Sequence, residues 1–487
     1  MSTPPPRVVD PHTVPLKTRL AFGVGASAEY LSLYSLAVLG LIFYNQVMGL
    51  GILLAGLVPT IALFVDAVSD PLFGSFSDRF RSKRLGRRHP FMFAAPVPIA
   101  ISFYCVFNPP DSLTQSELFA WFLVSSISLR TSMTVFHVPH LALGSELSKD
   151  YTERSKIMSY NNFFYWLGGP GSFKINTLIF FAALGAASNG LLNRQAYPDF
   201  ALFIAIAILI ILFTSAWFTR DRIPTLPQAP DHLARFSARM FYRDLASAFS
   251  NRNYLMLMIA LFSLSMMLGL RTAFTNYMNI YYWELPVEDI GTLIFLGSLL
   301  GYAFGFLFTA LLHHVFDKRA TIVVTAVGLS IFPAMPVILR LMDAFPENGS
   351  PWLLWCILAF QALSSGSGSV LNISVMSALA DIADQNELRI GHRQEGTLYA
   401  ARTFFAKLDN SLGHGLAALS LWLISFPDKA KPGEVDADTI WWLGMIDSPI
   451  TIIPGLIAAG FYAQYRINRK QYDETQRQLQ SKRAAET

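Results

Sequence analysis

Cysteine, charge and the signature motifs of catalysis are all scarce in this chain. Its 487 residues hold only Cys105 and Cys356, each inside an apolar run and far apart in sequence. That spacing supports neither a disulfide framework nor a cysteine metal centre. Charged residues make up 14% of the sequence, and the basic ones fall in short clusters rather than a continuous stripe, so a net charge of +4 does not indicate a nucleic-acid partner. No His-Glu-x-x-His, Gly-x-Ser-x-Gly or Gly-x-Gly-Asp pattern occurs, which leaves an enzyme reading without a nucleophile or a ligand set. "HVPH", His137 to His140, has Pro139 between its histidines and no third ligand at helical spacing; satisfied or ligand-contacting histidines are the better account than zinc. "SSGSGS" at 364 to 369 lacks the Gly-Lys-Ser/Thr ending of a phosphate loop, and its small residues fit close helix packing. The proline-rich start, "MSTPPPRVVDPHTVPLKTRL", has no short apolar core or small-residue cleavage site ahead of the first long apolar run. A retained cytoplasmic tail is expected there.

What is abundant is apolar surface: 53% of residues are hydrophobic, 14% aromatic, and mean hydropathy is +0.40. Crossing roughly 30 Å of hydrocarbon takes about 20 apolar residues. Twelve runs qualify, at 20–46, 51–76, 91–108, 117–143, 157–187, 199–219, 253–281, 291–313, 320–341, 352–383, 397–425 and 441–465. The fold class expected is therefore an all-α membrane protein with twelve transmembrane helices. Lys and Arg concentrate in the N-tail, alternate loops and C-tail, while Arg194, Lys429 and Lys431 alone fall on the opposite side. This bias predicts cytoplasmic N- and C-termini. Arg130, Lys174, Arg271, Arg340, Arg402 and Lys407 lie within or at the edges of spans. The long polar connection after span six divides the chain into a tail (1–19), a six-helix half (20–219), a central cytoplasmic loop (220–252), a second six-helix half (253–465) and a C-terminal cytoplasmic tail (466–487). Weak echoes between halves, "SDRFRSKR" with "FDKR" and "ELSKDYTERSK" with "DIADQNELRIGHRQEG", point to duplication around a midplane cavity.

The stretch "DAVSDPLFGSFSDRFRSKRLGRRHP", Asp66 to Pro90, buries acid and then crowds arginine behind it. Asp66 and Asp70 are four residues apart, so both carboxylates leave one face of span two about a turn apart. An ionised carboxylate within a bilayer is costly unless it is paired, hydrated or coordinating a cation. A helix-end pair capping the turn at Pro71, or answering the basic loop, is the purely structural account. The basic cluster also works as a stop signal that cannot cross the membrane.

With "DAVSDP", "SDRFRSKRLGRRHP", "ELSKDYTERSK" and "ADIADQNELRIGHRQEG" in this order, the chain resembles the glycoside-pentoside-hexuronide:cation symporters, the melibiose-carrier branch of the major facilitator superfamily. "RLGRRHPF" is similar to plant sucrose carriers, and the same branch includes lysolipid carriers. The resemblance implies a major facilitator fold and a cation site at Asp66, Asp70, Ser69 and Thr134, with Na+ or H+ as the coupling ion. Thr134 agrees with the family pattern, whereas Ser69 replaces an asparagine. It also implies a cytoplasmic gate drawn from Arg79, Arg84, Arg87, Arg88, Glu146, Asp150, Arg154, Asp384 and Arg393, in which loop arginines pair with acids such as Glu146, Asp150 and Glu153.

The pocket departs from the family. Tyr30 and His137 stand where the family has sugar-binding aspartates, Leu141 replaces a stacking tryptophan and Asn162 replaces an arginine, whereas Lys407 matches the family's lysine in span eleven. The polar mid-depth residues Glu29, Tyr30, Arg130, His137, Asn162, Trp166, Asn372, Thr403 and Lys407 form the candidate substrate set. Their mixture of amide, hydroxyl, ring and charge suits a polyhydroxylated or anionic small molecule. Arg130 has two readings, a carboxylate-binding group or the counter-ion of Glu29. The expectation is a cation-coupled symporter of a sugar, glycoside or uronate, with a lysolipid or other amphiphile as the alternative. No cofactor or metal beyond a transported Na+ is expected; the partners are the solute, the coupling cation and the bilayer. A monomer in a bacterial inner (plasma) membrane completes the expectation.

Overall fold

A computed structural model describes residues 14–80, 82, 84–148, 150–182, 189–226, 249–390, 395–467 and 469–486. Among the described residues the secondary structure is helical throughout. The N-tail before 14, the central loop between 227 and 248, Arg393, and the side chains of Arg79, Thr403 and Lys407 lie outside the described residues.

The first half contains α1 (Leu16–Ile42), α2 (Ile52–Arg79), α3 (His89–Ala94), α4 (Pro96–Phe107), α5 (Gln115–Glu146), α6 (Tyr151–Trp166), α7 (Ser172–Asn176) and α8 (Ala196–Thr219). The second contains α9 (Arg252–Tyr277), α10 (Val287–Val315), α11 (Lys318–Ile331), α12 (Met335–Leu341), α13 (Leu353–Ile390), α14 (Glu395–Leu423), α15 (Ala437–Met445) and α16 (Thr451–Tyr462), followed by α17 (Arg469–Glu486). Nine helices among the described residues are long and apolar enough to cross a membrane. The segments expected as spans three, five and eleven are also helical, which is consistent with twelve. They are harder to see for local reasons. Span three is broken at Ala95, before Pro96, whose missing N–H cannot continue the ladder. Span five carries the polar run of α6 and then bends through Gly169, at φ −89 and ψ −105.

Large apolar side chains point outward in stripes, such as Leu202, Phe203, Ile206 and Ile210 on α8 and Leu307, Leu311 and Val315 on α10. In water these would be a liability, and in a bilayer they are the lipid-facing surface. One apolar core fills the first half and continues into Tyr277, Tyr281, Trp283, Phe426 and Leu443 of the second. A separate core around Tyr254, Leu264, Ile322, Leu379 and Tyr462 belongs to the second half alone. The halves meet where α2 packs on α14, α1 on α9 and α7 on α10.

The contact between halves is closed at the end where α1 finishes, away from both termini. Asn45 Nδ2 donates to Asp428 Oδ1 (2.5 Å), Gln46 Nε2 to the Pro427 carbonyl (3.0 Å), Tyr277 Oη to Asn45 Oδ1 (2.8 Å) and Tyr281 Oη to Gln46 Oε1 (3.1 Å). The Ala430 N–H donates to Gln46 Oε1 (2.8 Å) and Asn276 Nδ2 to the Val38 carbonyl (2.7 Å). At the other end, the expected C-terminal tail is mostly the helix α17, which lays Leu479 inward and donates from Gln476 to Asp384 (2.7 Å).

Candidate functional site

The opening pair of aspartates sits on α2 opposite the middle of α5, and the helix repeat aims both carboxylates at the same neighbour. Thr134 Oγ1 lies 2.7 Å from Asp70 Oδ1 and 3.1 Å from Asp66 Oδ1. One turn before it on α5, Arg130 donates from Nη1 to Asp66 Oδ2 at 3.4 Å. Asp66, Arg130 and Thr134 are buried, and Asp70 is half-buried. A hydroxyl has one proton, so Thr134 can donate to only one of its two carboxylate neighbours at a time. The hydroxyl is thus shared between the two acids, with the Arg130 guanidinium at the other oxygen of Asp66. Ser69, the remaining member of the expected cation set, turns its hydroxyl back to the Asp66 carbonyl at 3.2 Å, as helical serines commonly do.

Arg130 therefore faces Asp66, and the alternative of a Glu29 counter-ion is corrected: Glu29 Oε1 is 2.7 Å from His137 Nδ1. Glu29 is buried and His137 half-buried. The second histidine of "HVPH" is turned elsewhere, with Nε2 2.8 Å from the Phe22 carbonyl and its ring stacked on Phe22 at 4.4 Å.

Beside the Glu29–His137 pair lies an aromatic wall. Tyr30 stacks on Tyr165 with centroids 3.9 Å apart and planes 11° from parallel, and Tyr34 meets Phe173 edge-on. Trp166 crosses to the second half, donating from Nε1 to Ser298 Oγ (3.2 Å) and standing 6.4 Å from the Tyr302 ring. The expected pocket residues Asn162 and Leu141 are exposed. From the second half, Arg402 Nη2 donates to Asn372 Oδ1 at 3.0 Å.

The "GGPG" run makes the wall possible. A Cβ on Gly168 would stand 1.9 Å from the Ser27 carbonyl oxygen, and one on Gly169 2.3 Å from the Tyr30 ring. Glycine lets span five touch span one and deliver Tyr165 and Trp166. Sequence reasoning missed Tyr165, Ser298 and Tyr302, because one aromatic or hydroxyl among many in an apolar run carries no signal of its own. Arg402 did carry a signal, a charge inside a span, but no partner for it could be read from the sequence.

The expected gate residues separate by role. Glu146 Oε1 accepts from Arg87 Nη2 (2.7 Å) and from Arg88 Nε and Nη2 (3.1 and 2.9 Å), and Arg88 Nη1 also donates to Ser77 (3.2 Å). This cluster ties the ends of α2, α3 and α5 within one half. Asp150, expected to answer a loop arginine, instead caps α6 by accepting the Glu153 N–H at 2.8 Å. Glu153 is held by Arg19 (3.2 Å) and Lys156 (2.8 Å), not by the basic loop. The hydrogen bond from Lys156 and the charge of Arg19 hold its carboxyl below the usual range. Arg84 and Arg154 are exposed, and Arg154 approaches the Ser148 carbonyl (3.5 Å). Asp384 meets Gln476 of α17.

A helical bundle in two halves, with an acid-and-hydroxyl cluster buried in one of them, is the context in which kinship becomes informative. The family model for MFS/sugar transport protein matches residues 21–469. The chain belongs to that family of the major facilitator superfamily. It is a multi-pass membrane transporter rather than an enzyme, and the resemblance read from its motifs is borne out. An uncharacterized symporter of Synechocystis sp. is 24% identical, covering 96% of each chain. YagG of Escherichia coli, named provisionally as a glycoside/cation symporter, is 21% identical over 97% of this chain and 96% of its own. The sodium-dependent lysophosphatidylcholine symporter 1 of Gallus gallus is 33% identical over a shorter stretch, 21% of this chain and 20% of its own. Among solved structures, a bacterial homologue of the lysosomal transporter Spinster aligns with TM-score 0.64 at 11% identity, covering 94% of this chain and 97% of that one. A D-xylose-proton symporter aligns with TM-score 0.57 at 15% identity, covering 92% and 95%.

Proposed function

We propose that this protein is a cation-coupled symporter of a polyhydroxylated solute, a sugar, glycoside or uronate, working by alternating access. The observation that carries the reading is the Asp66–Thr134–Asp70 cluster, two carboxylates each within hydrogen-bond reach of the one Thr134 hydroxyl inside a membrane bundle. Hard oxygens of this kind suit Na+ or a proton, and Arg130 supplies a resident positive charge that a bound cation must displace or tolerate. The solute belongs beside it, where Glu29, His137, the Tyr30–Tyr165 stack and the Arg402–Asn372 pair offer charge, donors, acceptors and a ring face. Such a mixture fits a solute with several hydroxyls better than an acyl chain.

The loop-charge bias supports cytoplasmic termini, and with that orientation the Asn45–Asp428 seal lies on the outer side. The similar symporters of Synechocystis and Escherichia coli support a bacterial inner membrane, and the long middle connection supports halves at 20–219 and 253–465. One charge moving through 100 mV provides about 2.3 kcal/mol, enough for roughly fifty-fold accumulation. The lysolipid reading has its own observation, a groove of about 570 Å³ between the ends of α14 and α15 lined by Leu423, Trp442, Ile446 and Ile450. Uptake by proteoliposomes decides between them. We expect cation-dependent accumulation of a glycoside or uronate by the native protein, abolished in Asp66→Asn and Asp70→Asn while insertion is retained. Full accumulation in both variants rejects the cation site, and uptake of lysophosphatidylcholine alone selects the amphiphile.

A further inference from the structure

A second polar chamber lies inside the C-terminal half, apart from the Asp66 cluster and the Glu29–His137 pair. It is a partly open cavity of about 250 Å³ between α9, α10, α11, α12, α13 and the start of the last span. At roughly 30 Å³ per water it has room for about eight waters, far more than a packing defect. Its wall mixes apolar residues such as Trp283 and Leu293 with Arg271, Thr272, Asn279, Gln361 and Asp447.

The charges in it are loosely engaged. Arg271 Nη2 donates to the Asp447 backbone carbonyl at 2.8 Å, while the nearest carboxylate oxygen is 3.9 Å away, beyond hydrogen-bond reach. Arg271 Nε is buried without a hydrogen-bond partner among the described residues. An ion pair that existed only to hold the fold would close to a short fork, because that is what offsets the loss of solvent from both ions. Here the backbone takes the guanidinium and leaves the carboxylate with acceptor capacity beside the cavity. The two charges cancel, so a charged guest gains nothing overall. Amides and hydroxyls supply donors and acceptors in comparable number.

We propose that this chamber is a second solute site, for a neutral polyol of monosaccharide size. Its hydroxyls would donate to Asp447 and accept from Arg271, Asn279 and Gln361, using both partners of the open pair at once. The proposal goes beyond the central cleft and does not depend on which solute occupies that cleft.

The test is cysteine protection in the full-length protein. Thr275→Cys reports on the chamber and Ser298→Cys, which faces Trp166 of the aromatic wall, on the proposed central site, each in a Cys105→Ser, Cys356→Ser background with unchanged thermal stability. Labelling by a small methanethiosulfonate is timed with D-glucose, D-galactose, D-xylose or L-arabinose, and with D-glucuronate and D-glucosamine as charged controls. At ten times its dissociation constant a bound sugar should slow labelling of position 275 about tenfold. We expect that slowing with at least one neutral sugar and little with either charged one. Adding Thr272→Phe, which fills the chamber and keeps Arg271 and Asp447, should remove the protection. A rate at 275 unchanged by every sugar, no labelling at 275 at all, or equal protection by neutral and charged sugars overturns the proposal. Protection at 275 without any at 298 leaves the chamber standing and counts against the central reading instead.

Discussion

At the scale of single residues, Arg130 is the side chain whose removal is most informative. It stands 3.4 Å from the Asp66 carboxylate, where a transported cation would also sit. Two unit charges at 4 Å interact by about 4 kcal/mol at an effective dielectric of 20. Even a small part of that, felt as competition, is a large factor in affinity. Arg130→Gln should therefore bind Na+ or H+ at least about tenfold more tightly and turn over more slowly, since release is no longer assisted. Cation titration of the purified variant, followed by tryptophan fluorescence, checks this; an unchanged affinity removes Arg130 from the site. The sequence showed the two aspartates and the in-span arginine, because charge inside an apolar run is conspicuous; Thr134 entered only through the family resemblance. It did not show that Arg130 turns toward Asp66 while Glu29 turns toward His137. Both choices depend on the rotation of α5 against its neighbours, a tertiary quantity.

Among the elements, span five is the least regular and the most dependent on a few atoms. Gly168 lies against the backbone of span one, where no side chain can move aside, whereas Gly169 meets only a ring. Gly168→Ala should destabilise the protein by roughly 1–3 kcal/mol through overpacking and spread the Tyr30–Tyr165 stack. Gly460→Ala, at a position with open space around it, should be silent. Thermal melting in detergent and solute affinity measured side by side test the pair. An innocuous Gly168→Ala would mean that the two spans do not touch as described. Most spans were legible as apolar runs, but the breaks inside them were less so. Nothing in "GGPG" as a sequence says that the chain bends there to place Tyr165 and Trp166. The helical C-terminus, α17, has no apolar run at all; its helicity comes from alternating charge and one inward residue, Leu479.

For the whole molecule, the two-half architecture was readable from the spacing of spans and the long middle loop. The seal was not, because Asn45 and Gln46 look like an ordinary span end until Asp428 and Pro427 are brought over from the other half. If the halves part there during transport, a bond across the seal must stop the cycle. Asn45→Cys with Asp428→Cys should cross-link under oxidation, abolish uptake and recover with reductant; transport persisting in the cross-linked protein would place the moving contact elsewhere. Closure at one end also makes each half a lever. While the seal holds, the 27 residues of α1 extend about 40 Å from it at 1.5 Å per residue, so a 10° turn about that closed end sweeps the opposite mouth through roughly 7 Å. Asp66 lies halfway along α2 and travels about half that arc. Since Asp66, Asp70, Arg130 and Thr134 all ride on one lever arm, their mutual distances are unaltered by the swing. What the swing changes is their access to water.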